Sequence, residues 1–318
     1  MIRVLRPGSW TAVQDAGRHG YQRLGVAVGG AADPFALRVA NALAGNDSKA
    51  AGLEMALAGP RLQFDCDALV AWCGADFEAM LDGEPLAKNR PVRVSSGGSL
   101  DFPAARHRST AWLAVGGGIS VPDVMGSRST DLAAGIGGVE GRRLIAGDVL
   151  SLGVASAWTQ ATLEFLRRSA RPAAWSLPPE RLGLPGEPGV VRVVRGPEWD
   201  WFGTDAQEKF FRDTYQVTKD SNRMGMRLGG PVLALTARRE MISAAVHHGV
   251  VQVPPSGQPI LLGADRQTIG GYPRIGVVAT VDFGPLAQLR PGDAIRFREV
   301  TIAQAHELLL QPQTLAIA

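Results

Sequence analysis

The chain has 318 residues, 45% hydrophobic and 20% charged, with a formal net charge of +3. That length suits two domains, the apolar share supplies a core, and the composition is not that of a disordered chain. The small net charge, with no Lys/Arg run longer than a pair, speaks against nucleic-acid binding, and no apolar run approaches the ~18 residues of a membrane span.

Met1-Ile2-Arg3-Val4-Leu5 begins a strand at once, without the apolar stretch of a signal peptide, so a cytoplasmic protein is expected. Helix signals follow. Asp33-Pro34 offers an N-cap and a proline at the first helical position, and Gly45-Asn46 tolerates the left-handed stop. Residues 61–153 read as β structure, with short apolar runs at 68–72, 92–94, 110–115 and 149–152 between Gly, Asp and Pro turns. Cys66 and Cys73 fall in this region without zinc or disulfide spacing, as in a reducing compartment. A helical patch over 159–168 runs into Arg171-Pro172, Pro178-Pro179, Leu184-Pro185 and Pro188, which reads as a linker.

Strands resume over 189–300. Thr204 and Gln207 have capping-box spacing for a helix near 205–215. Residues 250–262 read as strand, turn, strand, and Thr301 is placed to cap a last helix reaching about Leu310. The expected layout is an N-terminal segment plus first β region over 1–155, a linker over 156–188 and a second β region over 189–318. Gly59-Pro60 and Gly196-Pro197 open the two β regions, and Gly147-Asp148 and Gly292-Asp293 stand near their ends. This is either an internal repeat or a pair of common turns.

Four stretches concentrate polar chemistry on glycine-rich backbone. Ala264-Asp265-Arg266-Gln267-Thr268-Ile269-Gly270-Gly271-Tyr272-Pro273 pairs an acid and a base with an amide and a hydroxyl at the rim of a sheet. Gln14-Asp15-Ala16-Gly17-Arg18-His19-Gly20-Tyr21 could hold a carboxylate or amide, or brace the N-terminal loop through Asp15 and Arg18. Gly116-Gly117-Gly118 permits a close backbone approach, and Ser127-Arg128-Ser129-Thr130 suits an anion or a hydrogen-bonded turn. Neither is a P-loop, because no Gly-Lys-Ser/Thr follows. Arg223 and Arg227, with Asn222, again suit a carboxylate or phosphate. The five histidines make no metal set, since His247 and His248 are adjacent and would face opposite sides of a strand. These residue types favour orienting a small amide-like or carboxylate ligand over covalent catalysis.

Together the motifs Pro7-Gly8, Thr11, Val13-Gln14-Asp15, Gly17-Arg18, Gly20-Tyr21, Ala40-Asn41, Gly45-Asn46, Gly126-Ser127-Arg128-Ser129-Thr130, Ser221-Asn222-Arg223-Met224-Gly225 and Gln267-Thr268-x-Gly270-Gly271-Tyr272-Pro273 resemble the allophanate hydrolase subunit 2 family. Its standalone members include the C components of 5-oxoprolinases, KipI antagonists and biotin-dependent carboxyltransferase-like proteins. The resemblance implies two cyclophilin-like β-barrel halves, so the fold class expected is mainly β with a few helices. It also implies a hetero-oligomer with a KipI-like B component and a LamB/YcsF-like A component, which uses ATP at the level of the complex to open 5-oxoproline to glutamate. The chain itself is then expected to be inactive alone, with no metal, and any biotin arriving on another chain.

The resemblance implies Asp265, Asp15 and Thr268 as catalytic residues, with Asp265 accepting a proton or orienting water. Arg18, Tyr21, Arg128, Ser129, Arg223, Gln267 and Tyr272 would bind substrate, Arg128 or Arg223 taking its carboxylate. Two other readings share these loops: carboxyl transfer from carboxybiotin to urea or another amide, and a regulator that relieves inhibition by a KipI-like protein. Gly29 stands where the family usually has Ser.

Overall fold

A computed structural model describes residues 1–169, 173, 176, 189–237 and 239–310. Strand makes up 34% and helix 19%, so the mainly-β expectation holds. The described residues divide into two compact units, one from residues 1–19 and 29–176 and the other from residues 20–28 and 189–310.

The first unit contains two sheets. One has seven strands in the order Ile119–Ser120, Val149–Leu152, Ile2–Arg6, Arg61–Phe64, Ser99–Asp101, Met80–Leu81, Glu84–Pro85. The other has five, in the order Trp10–Gln14, Gly52–Ala56, Ala105–Val115, Ala68–Phe77, Val92–Val94. Trp72, Phe77 and Phe102 meet edge to face in the shared core, with centroids 5.6 to 6.5 Å apart. Helix Pro34–Ala44 forms as its end signals require: the Asp33 carboxylate accepts from Phe35 N and Ala36 N, and Gly45 turns left-handed at φ 74°. Burial pushes the Asp33 carboxyl from its usual 3.8 up to about 6, against the pull of those two amides.

The linker expected over 156–188 starts as helix Ala157–Ser169, which belongs to the first unit. Its Thr159 hydroxyl donates to Ala44 O at 2.8 Å, and Leu166 packs with Leu69 and Ala173. Residues 170–172, 174–175 and 177–188 of that span lie outside the described residues.

In the second unit seven strands close into a barrel, in the order Val190–Arg195, Arg274–Val278, Val250–Gln252, Ile260–Leu262, Gly225–Gly229, Tyr215–Val217, Ala294–Glu299. The last pairs in parallel with the first. Helix Thr204–Arg212 sends Phe210 into the barrel core, stacked on Phe297 at 4.5 Å. The capping box expected there does not form. Gly203 occupies the cap, and the Gln207 amide instead donates to Trp199 O and Phe202 O. A reciprocal box closes the start of helix Ile302–Leu310: Gln304 N donates to Thr301 Oγ1 at 3.1 Å and Thr301 N to Gln304 Oε1 at 2.8 Å.

The Gly-Asp echo is real. In the first unit Gly147 N donates to Val4 O and Val4 N to Asp148 O, while the Asp148 carboxylate accepts from Ile145 N. In the second, Gly292 N donates to Val217 O and Val217 N to Asp293 O, while the Asp293 carboxylate accepts from Arg290 N. Strand Ile2–Arg6 lies between Val149–Leu152 and Arg61–Phe64, as Tyr215–Val217 lies between Ala294–Glu299 and Gly225–Gly229. The Gly-Pro pairs do not correspond. Gly59 precedes the second strand of its trio, whereas Gly196 precedes the first of the other.

Candidate functional site

Two clusters carry the polar residues singled out in the sequence, one in each unit.

In the first unit, strand Trp10–Gln14 delivers Asp15 against the segment 127–130. Asp15 Oδ1 accepts from Ser127 Oγ at 2.7 Å, Ser129 Oγ at 2.5 Å and Gly17 N at 2.8 Å, and Oδ2 accepts from Arg128 N at 2.6 Å. Further bonds cross the same seam: Gln14 Nε2 donates to Thr130 O, and Thr130 N and Oγ1 both donate to Val13 O. Arg18 is wholly buried, donating from Nε to Val124 O and from Nη2 to Ser129 O, with Nη1 left without a partner. A Cβ at Gly137, whose φ is +69°, would strike Ser129 O and come within 2.8 Å of Arg18 Nη2.

Asp15 and Arg18 do not pair with each other, and both make bracing contacts to the 124–130 loop. The Asp15 carboxylate holds four donors and the Arg18 guanidinium has no solvent access, so both side chains serve here as braces. Ser129 is buried in the same brace. Arg128 alone is exposed, its Nε donating to Val121 O at 3.2 Å.

The triple glycine is also structural. Gly116 N donates to Leu69 O, Gly117 N to Asn46 Oδ1 and Gly118 N to Val115 O. The close approaches it permits are to Gly153 backbone and to Thr159. With its three amides committed, this turn does not fit a phosphate cradle.

In the second unit strand register builds the cluster. Gly225 pairs with Leu262, Val251 with Leu261, and Val250 with Val277. These pairings bring together at one barrel end the residues before Gly225, before Val250, after Leu262 and after Val278. They are Arg223, His248, Asp265 with Arg266, and Phe283. Arg223 and Asp265 form a bidentate pair, Nε to Oδ2 at 2.7 Å and Nη2 to Oδ1 at 2.9 Å, with side chains 15% and 9% exposed. Arg266 is 7% exposed; Nη1 donates to Ala264 O at 2.9 Å and Nε is buried without a partner. Burial lowers the Arg266 pKa, opposed by Asp265. The His248 ring stacks on Phe283 at 3.9 Å and 21°. Burial, then the charges of Arg266 and Arg223, hold its pKa down to about 3, so the imidazole is neutral near pH 7.

From Arg266 the loop runs back along the barrel. Thr268 O accepts from Val246 N, and Ile269–Gly270 pairs with Ala244–Ala245. The buried Gln252 side chain steadies it: Nε2 donates to Tyr272 O, and Oε1 accepts from Gln267 Nε2 at 3.3 Å. A Cβ at Gly270 would lie 2.5 Å from Gln252 Nε2, so glycine there lets the amide reach across. Beyond the loop, Arg274 grips Glu198 through Nε at 2.8 Å and Nη2 at 2.7 Å. Gln267 and Tyr272 are exposed and Thr268 half-exposed. Tyr21, half-exposed, belongs to this unit too; its carbonyl accepts from Leu24 N.

The structure thus unites Arg223, Asp265, Gln267, Thr268 and Tyr272 on one set of barrel connections, and Asp15, Arg18, Arg128 and Ser129 in a separate brace. Sequence reasoning gives no site role to His248, Arg266 or Gln252, although it notes Arg266 as the base of its loop. It weighs His248 only as a metal ligand, and the available signal is its strand-end position in a unit with an arginine-rich loop.

A family model described as carboxyltransferase domain, subdomain A and B, matches residues 24–299. The C component of the Escherichia coli (strain K12) 5-oxoprolinase is 39% identical over 305 residues, spanning 96% of this chain and 93% of that protein. Its Haemophilus influenzae counterpart is 38% identical over 310 residues, spanning 97% of this chain and 94% of that protein. The crystal structure of the K. lactis urea amidolyase superposes with a TM-score of 0.85 at 31% identity, covering 96% of this chain but 19% of that one. The chain belongs to the carboxyltransferase domain family. In this family member the matched span includes the 124–130 loop and the whole 264–273 loop, while Asp15, Arg18 and Tyr21 precede it. No helix among the described residues is long and apolar enough to cross a membrane.

Proposed function

We propose that the chain is the C-type subunit of an ATP-dependent 5-oxoprolinase that opens 5-oxoproline to L-glutamate. The observation that carries this reading is the match to the C component of a 5-oxoprolinase over nearly the full length of both proteins. A lactam is a poor electrophile, so ring opening needs activation of its oxygen. ATP at the level of the complex supplies the drive by passing its γ-phosphoryl group to the lactam oxygen and leaving as ADP; one water adds to the ring carbon as the C–N bond breaks and the nitrogen takes a proton, and a second water releases the phosphoryl group as inorganic phosphate. The nucleotide is held outside the triple-glycine turn, whose amides are already used. Partners of the KipI-like and LamB/YcsF-like types complete the enzyme, and the chain alone is inactive.

In this reading the exposed Gln267 and Tyr272 and the half-exposed Thr268 face the amide, as polar groups on a loop held rigid by Gln252 and Arg274. Asp265 stays paired with Arg223 and orders the loop.

A second reading, carboxyl transfer to urea or another amide, is favoured by the carboxyltransferase family match and the urea amidolyase likeness. The same loop would then hold the amide acceptor, with biotin carried on another chain. The deciding assay is ATP-dependent glutamate release from 5-oxoproline by the chain mixed with its KipI-like and LamB/YcsF-like partners, run with and without the chain. Release that needs the chain supports the first reading. An assembled complex that leaves 5-oxoproline untouched defeats it and turns attention to carboxyl transfer.

A further inference from the structure

We propose that Arg266 and His248 form a carboxylate-binding site at one end of the barrel, Arg266 supplying the charge and the His248 ring an N–H hydrogen bond. The inference deepens the 5-oxoprolinase reading, on which its choice of ligand rests: it assigns the carboxylate of the lactam substrate to a residue pair other than Arg128 or Arg223.

Charge balance carries the argument. At this barrel end Arg223 and Asp265 neutralise each other in a bidentate pair. Arg266 then remains as a cation that is 7% exposed, with one backbone carbonyl as partner and a buried Nε without one. Burying an uncompensated guanidinium is costly, and an anion in reach of its fork removes that cost. A planar fork matches a carboxylate in geometry as well as in charge.

His248 completes the arrangement. Its ring lies flat on Phe283 at 3.9 Å, which fixes its plane, and among the described residues its ring nitrogens have no protein hydrogen bond. Gly249 is what lets this happen: at φ +85° it turns the chain sharply, and a Cβ there would sit 2.7 Å from the Phe283 ring. Burial and the two arginines keep the imidazole unprotonated, so it presents one N–H and one bare nitrogen rather than a second cation.

Binding to the purified chain tests the site directly. The probes are L-5-oxoproline, 2-pyrrolidinone (the same lactam without the carboxylate) and inorganic phosphate. L-5-oxoproline is expected to raise the melting temperature and to shift the His248 imidazole resonances, while 2-pyrrolidinone does neither and phosphate binds more weakly. Arg266→Gln should weaken 5-oxoproline binding about tenfold or more, the loss of a charge-assisted contact, and His248→Gln by a smaller factor. Arg266→Lys retains the charge without the fork and should fall between parent and Arg266→Gln, which keeps the test valid if Arg266→Gln does not fold. Equal affinity of parent and Arg266→Gln, equal binding of 2-pyrrolidinone, preference for phosphate, or no binding by the parent would each overturn the proposal. The outcome is separable from the glutamate-release assay. Chain-dependent turnover with Arg266-independent binding sinks this site alone. Arg266-dependent binding without turnover sinks the 5-oxoprolinase reading alone.

Discussion

The two polar clusters use the same residue types to opposite ends. In the first unit Asp15 gathers two serine hydroxyls and two backbone amides, and Arg18 is sealed among carbonyls. In the second, one arginine is neutralised by Asp265 while a neighbouring arginine and a neutral histidine are left short of partners. Acid, base and glycine together do not mark a site. Arg18 Nη1 lacks a partner as Arg266 Nε does, so the difference lies in access and neighbours: Arg18 is wholly buried among carbonyls, whereas Arg266 keeps 7% exposure beside the His248 ring.

The strongest way to break this contrast is to remove each acid in turn. Asp15→Ala strands four donors, most of them buried, and should destabilise the chain by about 4 kcal/mol in chemical denaturation. A loss under about 1 kcal/mol would show that the brace is not structural. Asp265→Ala leaves Arg223 without its carboxylate beside Arg266 and should cost about 3 kcal/mol; the double variant Arg223→Met with Asp265→Leu should recover most of that, because the pair is replaced as a unit. A double variant no better than Asp265→Ala alone would mean that the pair does more than neutralise itself.

The two helix caps sharpen the comparison on a finer scale. Asp33 has a folded pKa raised to about 6 from 3.8, so the folded state holds the proton more tightly. Its protonated carboxyl contributes stability that is fully present below pH 3.8 and is lost as pH rises through about 6, leaving a cost of up to about 3 kcal/mol at pH 8. Asp33→Asn keeps the cap acceptor without the charge. Denaturation midpoints should therefore show it more stable than the parent at about pH 8, with the gain vanishing near pH 4. A gain independent of pH would argue against a buried charge. Thr301, an exposed neutral cap, should cost only about 1 kcal/mol when replaced by Ala, visible as a small drop in melting temperature.

Local signals are readable in the sequence and distant ones are not. Helix Pro34–Ala44 announces both of its ends within a few residues, and Val92–Val94 and Val149–Leu152 stand out as apolar runs between turns. The capping-box spacing occurs at both Thr204 and Thr301. Only the second forms, because Phe202 and Trp199 carbonyls draw the Gln207 amide away. The Arg223–Asp265 pair spans 42 residues and exists through barrel register, as the Asp15–Ser129 contact spans 114. Residue types suggest that these loops are polar and important. Which charges cancel, and that His248 lies on Phe283, depend on strands paired from opposite ends of the unit.

The most direct test of the contrast is kcat/KM for 5-oxoproline in the reconstituted complex, measured per folded chain, for Gln267→Ala and Asp15→Asn side by side. The account predicts a loss of about tenfold or more for Gln267→Ala with an unchanged melting temperature, and for Asp15→Asn a lowered melting temperature with kcat/KM within about twofold of the parent. The reverse pattern, an Asp15 variant that folds well but does not turn over and a Gln267 variant that is fully active, would contradict it.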